Sequence, residues 1–328
     1  MSSRKRVGVV GVSGYGGGEI LRLCANHPAV EVVYAAGETS AGQRLGSRYP
    51  GLGGQVADLT IQAFNTAALP DNLDLLFMSL PTGDSKKAAT QIQADVKIID
   101  VGGDHRFVDG WTYGLTEIIG PSVIAESSRV ADPGCFPAAT LLALAPLLKQ
   151  GLIESTHIIV DAKTGISGAG RGGGSTFGFA EVNEDVAAYN LFKHAHTPEM
   201  REAVALLSAN PAASLVFSPH LVPMTRGILA TCYARGRITT GDALQAAREF
   251  YAESAFVRVS ETLPHSKWAQ GSNLAFVSYA ADPEQETVIA LGAIDNLGKG
   301  AAGQAVQNMN LMLGCPEQLG LDLVPMLP

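Results

Sequence analysis

The chain has 328 residues, 46% of them hydrophobic and 16% charged, so it has ample material for a buried core and is too long for one comfortable one. A formal charge of -8 excludes a general nucleic-acid binder, and no apolar run reaches membrane-spanning length. The four cysteines (24, 135, 232 and 315) are scattered without metal-like spacing, and the first strand begins within ten residues, leaving no room for a leader; both features point to a reduced, cytoplasmic protein.

Arg6-Val7-Gly8-Val9-Val10 reads as a short buried strand, followed at once by Gly11-Val12-Ser13-Gly14-Tyr15-Gly16-Gly17. Glu19-Ile20-Leu21-Arg22-Leu23-Cys24 opens a helix, and Val30 to Ala36 supplies the next strand. Glycines at the turn of such a βαβ unit let the backbone approach a pyrophosphate at the helix N-terminus, so Gly11, Ser13, Gly14, Tyr15, Gly16 and Gly17 are candidate dinucleotide ligands. Glu38 stands where an acidic residue holds the ribose of NAD, whereas Thr39, Ser40 and Arg44 in the following loop suit a 2′-phosphate. These residues alone leave the two cofactors open.

Strands continue at Leu73–Leu80, ending in Pro81-Thr82-Gly83, and at Val96–Val101, ending in Gly102-Gly103-Asp104-His105-Arg106. In an open parallel sheet such loops border the ligand. Pro133-Gly134-Cys135-Phe136-Pro137 then feeds an apolar helix, which Pro146 interrupts. A cysteine at a helix N-terminus meets unpaired N–H groups and the positive end of the helix dipole, which favour its thiolate, so Cys135 is the candidate nucleophile. Cys24 and Cys232 fall in apolar segments and read as core; Cys315 reads as incidental.

Beyond residue 150 longer alternating strands (His157 to Lys163, Gly227 to Arg237, Leu274 to Ala281) indicate a second, mostly antiparallel sheet, and Gly168 to Gly174 reads as a mobile loop. His194-Ala195-His196 precedes a helix that Thr197 should cap, with Pro198 at its first position. Histidine suits proton transfer near neutral pH. A metal pair is the other use of this spacing, but no nearby set completes a site, so no metal is expected. The expected architecture is α/β: a Rossmann-type dinucleotide-binding domain (1–135 with 303–328) and an α+β catalytic and oligomerisation domain with a mostly antiparallel sheet (136–302).

Several strings resemble the N-acetyl-γ-glutamyl-phosphate reductases, relatives of aspartate-semialdehyde dehydrogenase. They are Gly11 to Tyr15, Tyr113 to Glu117, Pro133 to Pro137, Pro219 to Gly227 and, most specific, Ala293 to Asn310. The resemblance implies NADP(H), a small acyl-phosphate substrate, and a homodimer or homotetramer that binds neither nucleic acid nor membrane. It implies a mechanism in which Cys135 forms a thioester, His196 (or His194) moves the proton, Arg106 holds the substrate phosphate, Arg226 meets a substrate carboxylate and Asn296 meets the nicotinamide amide. An ion pair is the competing use of Arg226. Three departures stand out: His194-Ala195-His196 replaces His-Arg-His, Pro81-Thr82-Gly83 replaces Pro-His-Gly, and Asp104-His105-Arg106 replaces acidic-Phe-Arg. The alternatives are reduction of aspartyl or carrier-linked aminoadipyl phosphate, or a non-catalytic nucleotide-binding regulator.

Overall fold

The computed structural model describes residues 4–172 and 174–326. Residues 1–3, 173, 327 and 328 lie outside the described residues; Gly173 takes part of the expected Gly168–Gly174 loop with it, and the others are the outermost ends of the expected first domain. The chain divides into two compact units. The first runs to Pro133 and takes up Ala301–Leu323; the second comprises Gly134–Gly300 and the chain from Val324.

In the first unit the strands β1 (Lys5–Val10), β2 (Val30–Ala36), β3 (Leu75–Met78), β4 (Lys97–Asp100), β5 (Thr112–Tyr113) and β6 (Arg129–Ala131) form one sheet. Its order is β2-β1-β3-β4-β6-β5 and every pairing is parallel. Continuous burial of Val7, Gly8, Val9 and Val10 in β1 and of all of β3 is what a parallel sheet covered on both faces imposes. Helix α1 (Tyr15–Ala25) follows β1 directly, and a single turn, α2 (Leu45–Arg48), lies beyond β2. Helix α3 (Asp84–Ala89) follows β3. Strands β3 and β4 are shorter than the expected Leu73–Leu80 and Val96–Val101, because the flanking residues turn into the loops that carry Thr82 and Arg106.

The second unit is built on β7 (Ile158–Gly165), β8 (Ala187–Ala188), β9 (Leu215–Val222), β10 (Ile228–Arg235), β11 (Val257–Val259), β12 (Ala275–Asp282) and β13 (Thr287–Ile294). The order is β11-β12-β13-β10-β7-β9-β8. The β11–β12 and β7–β9 pairs are parallel and the rest antiparallel, so the sheet is mostly antiparallel, as its alternating strands require. One face is covered by α4 (Cys135–Lys149), which is buried along nearly its whole length. Pro146 lies inside α4 without ending it; the helix closes three residues later. Helices α5 (His196–Ser208) and α6 (Thr240–Phe250) pack beside α4.

Helix α7 (Gly303–Met312) returns to the first unit and packs on α1 and on the segment Pro121–Glu126. Gln304, Gln307, Asn308 and Asn310 are all buried there, so the helix is polar and interior at once. Each amide therefore needs a partner. Asn308 Nδ2 donates to the Gly114 carbonyl at 2.9 Å and to Asp132 at 3.1 Å, and Thr116 donates to Asn308 at 2.9 Å. No helix among the described residues is long and apolar enough to cross a membrane.

Candidate active site

Cys135 is the first residue of α4, with Gly134 at the N-cap position, where no side chain caps the helix. Its thiol is half-buried and forms no disulfide. The other cysteines sit in different surroundings. Burial pushes Cys24 and Cys232 up to about 12, and burial also raises Cys315. Those three stay thiols near neutral pH and are poor nucleophiles.

The elbow ahead of Cys135 is held from α5. Glu199, buried on the first turns of α5, accepts the Gly134 N–H at 2.8 Å. The imidazole of His196 lies against Gly134 so closely that a Cβ there would stand 2.5 Å from Nε2. The α5 start departs from expectation. His196 is the first helical residue, Ala195 occupies the cap position, and Thr197 and Pro198 fall inside the first turn. The capping task goes to the neighbouring ring, because the His196 N–H donates to His194 Nδ1 at 3.0 Å. That bond fixes Nδ1 of His194 as an acceptor, so the neutral ring carries its proton on Nε2.

The two imidazoles lie 4.8 Å apart, centroid to centroid, over Phe136 and Phe217, which meet His194 at 5.6 and 5.2 Å. Burial lowers the His194 pKa from 6.5. Tyr189 completes the enclosure, its ring 5.5 Å from His194. Its hydroxyl pKa is raised by burial first and by the charge of Cys135 second, so it stays protonated. Neither Glu199 nor Tyr189 was singled out by sequence. Glu199 carried one signal, an acidic residue in the first turn of the histidine-bearing helix; Tyr189 carried none.

Elsewhere in this unit Asn296 is buried, its Oδ1 accepting the Gly227 N–H at 2.8 Å and its Nδ2 donating to Ser167 at 3.0 Å. Arg226 forms an ion pair at 3.4 Å with fully buried Asp295, inside the second unit. Asn296 therefore anchors the loop that bears Arg226.

In the first unit the Gly11–Gly17 turn has the shape a dinucleotide needs. Gly11 has φ +88°, and a Cβ there would fall 1.9 Å from the Ser79 carbonyl oxygen. A Cβ on Gly17 would meet the Gly11 backbone at 2.4 Å. Only glycine fits either position, and the result is a bare-backbone cradle at the start of α1. Ser13 and Ser40 hydroxyls lie 2.6 Å apart, Thr39 is exposed, and Arg44 pairs with Asp58 at 2.5 Å. Arg106 sits beyond β4, its Nε donating to the Asp132 carbonyl at 2.9 Å; Asn308 braces Asp132 in turn. Next to it His105 is buried, bonded through Nδ1 to the buried Asp100 carboxylate at 2.6 Å and stacked on Trp111 at 3.8 Å.

Known proteins match both units. Residues 6–127 match the family described as semialdehyde dehydrogenase, NAD binding domain, and residues 135–296 the family described as semialdehyde dehydrogenase, dimerisation domain. The chain is 62% identical to an N-acetyl-gamma-glutamyl-phosphate reductase of Bradyrhizobium sp. (strain BTAi1 / ATCC BAA-1182), over 98% of this chain and 99% of the relative. It is 41% identical, over the full length of both, to the protein of that name from Thermosynechococcus vestitus. The fold resembles that of aspartate semialdehyde dehydrogenase II from Vibrio cholerae, with TM-score 0.75 at 18% identity over 95% of this chain and 99% of that one. On the near-full-length identity with these relatives, the chain belongs to the N-acetyl-γ-glutamyl-phosphate reductases of the semialdehyde dehydrogenase family.

Proposed function

We propose that this enzyme reduces N-acetyl-γ-glutamyl phosphate to N-acetylglutamate γ-semialdehyde with NADPH, releasing phosphate, as a step of arginine biosynthesis. The observation that carries the reading is the set of Cys135 at the start of α4, the His194–His196 pair, and Glu199 on the Gly134 N–H. One cysteine stands at a helix N-terminus, next in sequence to the glycine that the His196 imidazole abuts, an arrangement that suits an activated thiol nucleophile.

The Cys135 sulfur attacks the γ-acyl carbon; the S–C bond forms, the C–O bond to phosphorus breaks, and inorganic phosphate leaves. Glycine-only backbone at Gly11 and Gly17 fits a pyrophosphate, so Gly11 and Ser13–Gly17 would hold it, with Thr39, Ser40 and Arg44 on the adenosine side. When bound, the dinucleotide supplies the hydride that reduces the thioester. His196, with His194 as second candidate, takes the thiol proton and returns it to the developing oxyanion; collapse of the thiohemiacetal then frees the aldehyde and restores Cys135. Arg106, a guanidinium fork steadied by the Asp132 carbonyl, is assigned to the substrate phosphate, and Arg226 to a substrate carboxylate. Asn296 is assigned to the nicotinamide end by the resemblance and to the Arg226 loop by its own hydrogen bonds.

The enzyme is proposed to be a cytoplasmic homodimer or homotetramer, supported by the match to a dimerisation domain. The second sheet adds support: Ile159 pairs with both Tyr233 and Val216, and all three apolar side chains are exposed. The test is oxidation of N-acetylglutamate γ-semialdehyde with NADP and NAD compared, in the presence and absence of phosphate. Phosphate-dependent activity with NADP that vanishes in Cys135→Ala, while nucleotide binding persists, is the expected result. Turnover of only aspartate or aminoadipate semialdehyde would move the enzyme to another substrate.

A further inference from the structure

The carboxyl ends of β1 and β2 hold a polar cluster that the reading above uses only in part. Besides the Ser13 and Ser40 hydroxyls it contains the guanidinium of Arg48, the last residue of α2. Arg48 Nη2 donates to the Ser13 carbonyl at 3.2 Å, while its buried Nε finds no hydrogen-bond partner among the described residues. Two nearby charged residues are already engaged: the Arg44 guanidinium by Asp58, and the Glu38 carboxylate by the Phe64 N–H at 3.3 Å. Gly37 adds no side chain, since a Cβ there would fall 2.5 Å from Ser13 Oγ.

A guanidinium beside two hydroxyls is a donor set for a phosphate dianion. NADP differs from NAD by one such group, on the adenosine ribose, which a βαβ unit binds at the end of its second strand. We infer that Arg48, more than Arg44, reads the 2′-phosphate and sets the preference for NADPH over NADH; this rests on the dinucleotide-binding reading above. Tyr49 makes a clean test feasible. Its hydroxyl donates to the Val12 carbonyl at 2.6 Å, so the glycine turn keeps a second tether when Arg48 is removed.

The test is calorimetric binding of 2′,5′-ADP and 5′-AMP to the full chain and to its Arg48→Ala, Arg48→Lys and Arg44→Ala variants. The native protein is expected to prefer 2′,5′-ADP. Arg48→Ala should weaken that ligand roughly 10- to 100-fold while changing 5′-AMP by less than about threefold, the loss due to charge-assisted bonds alone. Arg48→Lys should recover part of the preference, and Arg44→Ala should reduce it less than Arg48→Ala does. Equal loss of both ligands in Arg48→Ala would make Arg48 a brace for the turn and overturn the inference. So would a larger loss of the preference in Arg44→Ala than in Arg48→Ala, or its absence in the native protein. Failure of either nucleotide to bind any form would bring down the dinucleotide reading itself, whereas reductase activity on the wrong acyl phosphate would leave Arg48 untouched.

Discussion

Gly134 and His196 are matched by exclusion: the imidazole occupies the space that a Cβ on residue 134 would need, 2.5 Å from Nε2. The helix start that presents Cys135 and the helix start that presents His196 are therefore fitted to each other within one unit. Gly134→Ala must push the ring away. Displacing His196, the proposed proton-transfer group, by about 1 Å would cost about 100-fold, so kcat should fall by that order with far-ultraviolet circular dichroism unchanged. A variant with native kcat would show that His196 has no part in the chemistry.

Glu199 holds the same elbow through the Gly134 N–H. Glu199→Gln keeps an oxygen acceptor at that point, whereas Glu199→Leu leaves a buried donor unsatisfied, at about 1–3 kcal/mol. The leucine variant should lose about tenfold or more in kcat/KM, and the glutamine variant much less. Equal damage from both would mean that the carboxylate charge matters and the acceptor does not.

The His194 pKa is lowered by burial, so its proton is taken up only below 6.5. Protonation fills Nδ1, which now accepts the His196 N–H, and breaks the bond that starts α5. Activity should thus be insensitive to this group above pH 6.5 and fall as pH drops through its depressed value. In kcat/KM profiles, His194→Asn, which retains an acceptor, should remove that component of the acid limb. A His194-dependent limb lying above pH 6.5 would contradict the assignment.

What was legible in the sequence was governed by local rules. The Gly11–Gly17 turn, the period-two strands of the second sheet and Cys135 after Gly134 each depend on neighbours a few residues away, and each stands where its pattern put it. The start of α5 was misread because Thr197-Pro198 is a good cap in isolation, while the competing cap is a ring whose role depends on tertiary packing. The α7 amides gave no sign of burial, since a helix of Gln and Asn reads as solvated until its partners on Gly114, Thr116 and Asp132 are known. Arg48 was invisible for the same reason: its value lies in reaching the Ser13 carbonyl, 35 residues earlier in the chain.

The buried pair His105–Asp100 stands where the family pattern has phenylalanine, and it should be a point of stability as well as of substrate binding. Asp100 is fully buried, and His105 is its only side-chain partner among those described. Replacing the ring with phenylalanine keeps the stack on Trp111 but takes the partner from Asp100 Oδ2, while Oδ1 keeps the Gly102 N–H. Leaving a buried acceptor oxygen unsatisfied costs about 1–3 kcal/mol, so His105→Phe should shift the urea midpoint downward. Because Arg106, the proposed phosphate ligand, follows His105 directly, the same variant should raise KM for the acyl phosphate while leaving KM for NADPH near its native value. A midpoint unchanged by the substitution would show that the carboxylate finds other partners and that the pair does not hold this loop.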